Sequence, residues 1–128
     1  MQASGYSVTV VTRFRAYHRL IGGDFGAENQ LHHHDYRLEL TLHGDALDQH
    51  NYLVDITVVE AKLADFVDEI GFTTLNDHQD CHGNPSVEWL SRLAWAKLTD
   101  GLPSQVQWAQ VCIWEHETAA AAYSAPVG

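Results

Sequence analysis

The chain has 128 residues, 45% of them hydrophobic, which suits one globular domain with its own core. Its 17 acidic residues against 7 basic ones give a formal net charge of −10. That excludes a broad basic surface for nucleic acid or an anionic membrane, but not a small anion held by a local positive group such as a metal ion. Two cysteines make no disulfide framework. No apolar run approaches the roughly 20 residues of a membrane span. The first residues lack a charged region followed by an apolar one. The expectation is a soluble, cytoplasmic protein.

Residues 6–18, YSVTVVTRFRAYH, alternate. Val8, Val10, Phe14 and His18 share one parity, as a strand with one buried face requires. The glycine-bearing stretch IGGDFGAENQ reads as a loop. Residues 32–43, HHHDYRLELTLH, alternate cleanly, with Tyr36, Leu38, Leu40 and Leu42 on one face and Asp35, Arg37, Glu39 and Thr41 on the other. That pattern fits a half-buried strand of an antiparallel sheet.

After the turn-rich GDALDQHN the period changes. Ile56, Val59, Leu63, Phe66, Val67 and Ile70 follow a helical repeat. The polar stretch GFTTLNDHQDCHGN reads as a loop. A second amphipathic helix follows, with Ser86 as its N-cap and Val87, Leu90, Ala94 and Leu98 on its inner face. The remainder holds one strand or two. Cys112, in the apolar run WAQVCIW, reads as a buried thiol. The order predicts an α+β domain over 1–128, with two helices over one face of an antiparallel sheet.

Strand alternation also sorts the histidine triplet. His32 and His34 share the parity of Tyr36 and Leu38, whereas His33 faces away with Asp35. His18 ends the first strand on its apolar parity. If the two strands pair antiparallel, His18, His32 and His34 converge. Three neutral imidazoles suit zinc, with a position left for water or substrate. His33, His43, His50 and His116 have no spacing that asks for more than a surface place.

These segments together resemble the 6-pyruvoyl-tetrahydropterin and 6-carboxytetrahydropterin synthases. FRAYH resembles the family's first strand, which ends in a zinc-binding histidine, here His18. LHHHDY resembles His-Gly-His followed by a polar and an aromatic residue, with His32 and His34 on the zinc ligands. NYLVDI matches the place of a motif that keeps its aspartate, here Asp55. TLND and NPSVEWL resemble the segments before and at the second helix. EHETAAAAY resembles the segment in which a glutamate grips the pterin and a tyrosine follows eight residues later. Glu115 and Tyr123 have that spacing, while Glu117 fits a Glu-Thr pair.

The resemblance implies the tunnelling fold, in which a four-stranded antiparallel sheet carries two helices on one face. Three such sheets join into a barrel, as a homotrimer or a dimer of trimers, with active sites between subunits. It implies a zinc-dependent lyase acting on a pterin such as dihydroneopterin triphosphate, with Asp55 among the active-site positions. Two family features are absent. The catalytic cysteine is replaced by Glu28, and the Asp-His pair by Gly71 and Phe72. Some members carry glutamate in the cysteine's place and are associated with cleavage to 6-hydroxymethyl-dihydropterin. Glu28 would then be the base. Asp77, His78, Asp80, Cys81 and His82 form either a solvated loop or a source of replacement groups. The alternative to an enzyme is a pterin- or purine-like ligand binder that keeps the zinc site.

Overall fold

The computed structural model describes residues 4–128; the first three residues of the expected 1–128 domain lie outside the described residues. The elements are β1 (Tyr6–His18), β2 (His32–Gly44), α1 (Ile56–Ile70), α2 (Val87–Thr99), β3 (Trp108–His116) and β4 (Ala119–Pro126). Short 3-10 turns at Gly26–Asn29 and Leu75–Asp77 punctuate the loops. The strands form one antiparallel sheet in the order β1-β2-β3-β4. The C-terminal segment is therefore two strands. No helix among the described residues is long and apolar enough to cross a membrane.

The alternation of β2 sets the core. Tyr36, Leu38, Leu40 and Leu42 are all buried, while Asp35 and Arg37 are exposed. α1 lays Val59, Leu63, Phe66 and Ile70 onto this face, one residue per turn. α2 adds Leu90, Ala94 and Leu98, packing against β3 and β4. Phe14 of β1 stacks on Tyr36 at 5.2 Å and meets Phe66 edge-on at 6.2 Å, tying both strands to α1. Burial of one such side chain is worth roughly 1.5–3 kcal/mol.

Both helices begin on a capping side chain. Asp55 accepts from the Thr57 N–H at 2.9 Å and the Thr57 hydroxyl at 2.7 Å. Ser86 accepts from the Trp89 N–H at 3.1 Å, as its position predicts.

Two expectations need correcting. Ile56 is 49% exposed, because the buried stripe of α1 starts only at Val59. Cys112 is half-buried on the opposite side of the sheet, across from Glu39, since Val111 and Ile113 take the core parity.

The sheet is not uniform at the end where β1 finishes. Its last residue pairs with the first of β2, His18 with His32. Beyond the pair Arg37–Trp114, β2 and β3 part, and β3 bulges between Trp114 and His116. The free edge of β1 is also engaged there. The Phe72 N–H donates to Arg15 O at 2.6 Å, the Tyr17 N–H donates to Thr73 O at 2.9 Å, and Tyr17 bridges Thr74 in parallel.

Candidate metal centre

The β1–β2 register brings three histidines to one point. His18 lies across from His32, and Ala16 across from His34. The ring centroids stand 4.5, 5.0 and 5.0 Å apart, with the planes steeply tilted to one another. One nitrogen from each ring lies within 4.8 Å of the other two. His33 is exposed on the far side, where its ring meets Tyr17 at 5.7 Å. Strand parity therefore sorts the triplet as expected.

The Nε2 atoms of all three rings are buried and have no hydrogen-bond partner. The other nitrogens explain two of them. His18 Nδ1 donates to Pro85 O at 3.2 Å, and His32 Nδ1 donates to Gln30 O at 2.8 Å. A carbonyl can only accept, so each contact puts the proton on Nδ1 and the lone pair on Nε2. Buried polar atoms are normally paired, and three convergent unpaired ones are costly unless a cation receives them. Burial pushes the His18 and His34 pKa values below the usual histidine value. The Pro85 carbonyl opposes that shift at His18, and the Glu115 charge opposes it at His34. The favoured neutral imidazole is the form that ligates a metal. Three histidine nitrogens fit zinc.

Glu115 continues the core parity of β3 beyond Val111 and Ile113. Its Oε1 lies 3.0 Å from His34 Nε2 without making a hydrogen bond. Glu117 stands exposed in the β3–β4 turn, where it lines a cleft together with Glu115 and His34. Of the two glutamates, only Glu115 touches a histidine of the cluster.

Glu28 sits on the 3-10 turn Gly26–Asn29, exposed to solvent. Its carbonyl accepts from the Leu20 N–H at 2.8 Å, and Asn29 ties the turn to Leu20 and Gly23. Its negative charge favours the protonated forms of His18 and His34. The turn thus leaves Glu28 exposed, with no hydrogen bond or ion pair to the cluster. Asp55 is engaged elsewhere, at the start of α1, where Thr57 holds its carboxyl below the usual carboxylate range.

At Gly71 a Cβ would lie 2.7 Å from Val67 O, so an aspartate would not fit this backbone unchanged. Phe72 has φ 60° and is 76% exposed, a strained conformation for a bulky residue. The following loop is a bonded strap. His78 Nε2 lies 3.0 Å from Glu69, and His78 Nδ1 accepts from the Asp80 N–H at 3.1 Å. Both ring nitrogens are therefore engaged. Asn76 bonds both backbone groups of Arg19, and Asn84 both of Ile21. These bonds fix the strap beside the end of β1, and with it the Pro85 carbonyl. Cys81 Sγ donates to Gly83 O at 3.3 Å. Pro85 O and Gln30 O are site groups that sequence alone does not reveal, because every residue carries a carbonyl.

The family model for 6-pyruvoyl tetrahydropterin synthase matches residues 7–126. No curated protein matches the sequence. Among solved structures, a Caenorhabditis elegans 6-pyruvoyl tetrahydropterin synthase is similar with TM-score 0.79 at 19% identity, over 98% of this chain and 99% of that one. A Plasmodium falciparum 6-pyruvoyl tetrahydropterin synthase has TM-score 0.79 at 14% identity, over 97% and 99%. A Plasmodium vivax one, solved with a catalytic glutamate changed to alanine, has TM-score 0.80 at 14% identity over the same shares. At such identities the likeness to these structures is one of fold.

Proposed function

The chain belongs to the 6-pyruvoyl tetrahydropterin synthase family, and on that premise we propose that it is a zinc-dependent lyase acting on the side chain of a pterin, dihydroneopterin triphosphate or a close relative. The observation that carries this is the convergence of the buried Nε2 atoms of His18, His32 and His34, none of them hydrogen-bonded and only that of His34 within reach of a carboxylate, Glu115. Zinc bound there supplies a Lewis acid for a side-chain oxygen of the substrate.

The chain's own groups do the rest. Pro85 O and Gln30 O orient two of the ligating rings. Glu115 accepts hydrogen bonds from the N–H groups of the pterin ring. Glu28 takes a proton from a side-chain hydroxyl, whose carbon leaves as an aldehyde with the rest of the side chain. The electron pair of the broken carbon–carbon bond passes into the pterin ring, and Glu28 returns the proton to the remaining carbon to leave 6-hydroxymethyl-dihydropterin. That the similar Plasmodium vivax protein has a glutamate as a catalytic residue supports a carboxylate in this role. Asp55 we assign to the helix cap, since Thr57 occupies its carboxylate.

The sheet has two open edges, on β1 and β4, and ring closure into a homotrimer, or two stacked trimers, would cover them. A second reading, a pterin or purine-like binder without turnover, is favoured by Gly71 and Phe72 standing where the family has its Asp-His pair.

Incubation with dihydroneopterin triphosphate, with products identified by mass, separates the two. A product lacking part of the side chain supports the lyase. Tight binding with no product replaces it with the binder.

A further inference from the structure

The parting of β2 and β3 opens a cleft of about 710 Å³. His34 and Glu115, on the core parity, line it together with Arg13, Arg37 and Trp114, on the uncovered face of the sheet. The cleft thus runs from His34, the one member of the histidine cluster on its wall, to the uncovered side of the sheet.

The far side is unusual for this chain. Arg13 and Arg37 are direct cross-strand partners, with Trp114 next in the same row. Like charges directly opposite each other destabilise a sheet. Of only seven basic residues in a chain of net charge −10, three (Arg13, Arg15 and Arg37) lie on this face. Arg15 is spent on Asp35, which it grips through two bonds of 2.7 and 3.1 Å. Arg37 meets Glu39 at 2.9 Å, and Glu39 also accepts from Trp114. Among the described residues Arg13 makes no ion pair. His33 and His116 stand on the same walls. The acidic groups of the cleft are Asp35, already neutralised by Arg15, and Glu115 and Glu117 at the end of β3 and in the turn after it.

We propose that Arg13 and Arg37 form an anion limb of this cleft, which takes the phosphate tail of a ligand whose other end reaches the histidine cluster. It rests on the pterin reading for the identity of that other end, and on the cleft alone for the phosphate. Arginine forks match phosphate oxygens in pairs. A phosphate bound between the two arginines would turn a repulsive pair into a bridged one. The cleft is then bipolar, with carboxylates for ring N–H donors and arginines for the anion.

Calorimetric titration of the zinc-loaded protein with neopterin, neopterin triphosphate and inorganic tripolyphosphate tests this. The triphosphate should bind at least about tenfold more tightly than neopterin at low salt, with the gap closing at high salt. Arg13→Gln and Arg37→Gln should each bring the two affinities close together and abolish tripolyphosphate binding. Arg92→Gln, the same loss of charge on α2, should leave the gap as it is. Zinc content reports whether each variant is folded, and Arg13→Lys, which keeps the charge, provides a milder change. No gap in the unaltered protein, or a gap that survives both glutamine variants, overturns the anion limb while leaving the pterin reading intact. Arginine-dependent binding of tripolyphosphate and of the pterin triphosphate alike, with no binding of neopterin, does the reverse.

Discussion

The histidine cluster and the segment Gly71–Thr74 lie against the same end of β1, and they are built on opposite terms. The cluster is fixed by strand register: His18, His32 and His34 take their direction from alternation, and the core beneath them holds it. The segment is fixed by three backbone contacts to the edge of β1, with an exposed phenylalanine in a left-handed conformation. A ligand set that rides on a sheet cannot drift without moving the core. A residue on a loop can change identity while the loop's backbone bonds stay. This explains how one chain can keep its histidine cluster intact while the position beside it holds Phe72 rather than an acid-base group.

The sharpest way to break this contrast is to remove a ligand. Purified protein should carry about one zinc per chain. His32→Ala or His34→Ala should abolish it, and His33→Ala should retain it, by elemental analysis. Equal loss from all three would mean that register does not define the site.

Next in size is the effect at Glu28. Glu28→Gln should lower turnover on the order of 100-fold while zinc stays bound. Glu115→Gln should instead weaken pterin binding, read by titration. Full activity in Glu28→Gln would move the base elsewhere.

A smaller change probes the loop side. Phe72→Gly relieves the left-handed strain of a bulky residue and adds chain entropy to the unfolded state, for a net gain of about 0.5 kcal/mol. Thermal unfolding should show the rise with turnover unaltered; a fall in turnover would give Phe72 a part in the site. Smallest of all is Asp55→Asn, which keeps a capping oxygen and removes the charge. Melting temperature and turnover should hardly move, whereas Asp55→Ala should lower the melting temperature. Lost turnover in the asparagine variant would return Asp55 to the chemistry.

What could be read from the sequence follows the same division. Period-two alternation around Tyr36, Leu38 and Leu40 is enough to orient the three histidines of the triplet. Helix α1 was legible for the same reason, apart from Ile56, whose apolar side chain precedes the buried stripe. β4 was hard to separate from β3. In a run of alanines such as 119–122, inward and outward positions carry the same side chain, so no alternation remains to read. The Glu115–His34 contact is out of reach, because the register of β3 against β2 cannot be read from either strand's own alternation. So is the strap, where His78 meets Glu69 across nine residues of sequence.

The bonds that segment 71–74 makes to β1 bear on more than the neighbouring site. A strand arriving at that edge from another copy finds Arg15 O and the Tyr17 N–H already taken. It can align only with the stretch from Tyr6 toward Arg13. That open stretch is about as long as β4, the eight-residue strand on the sheet's other margin. The segment therefore works as an end stop. It allows two sheets to meet edge to edge in few alignments, and it denies a longer, sliding strand the continuous margin on which fibrous aggregates grow.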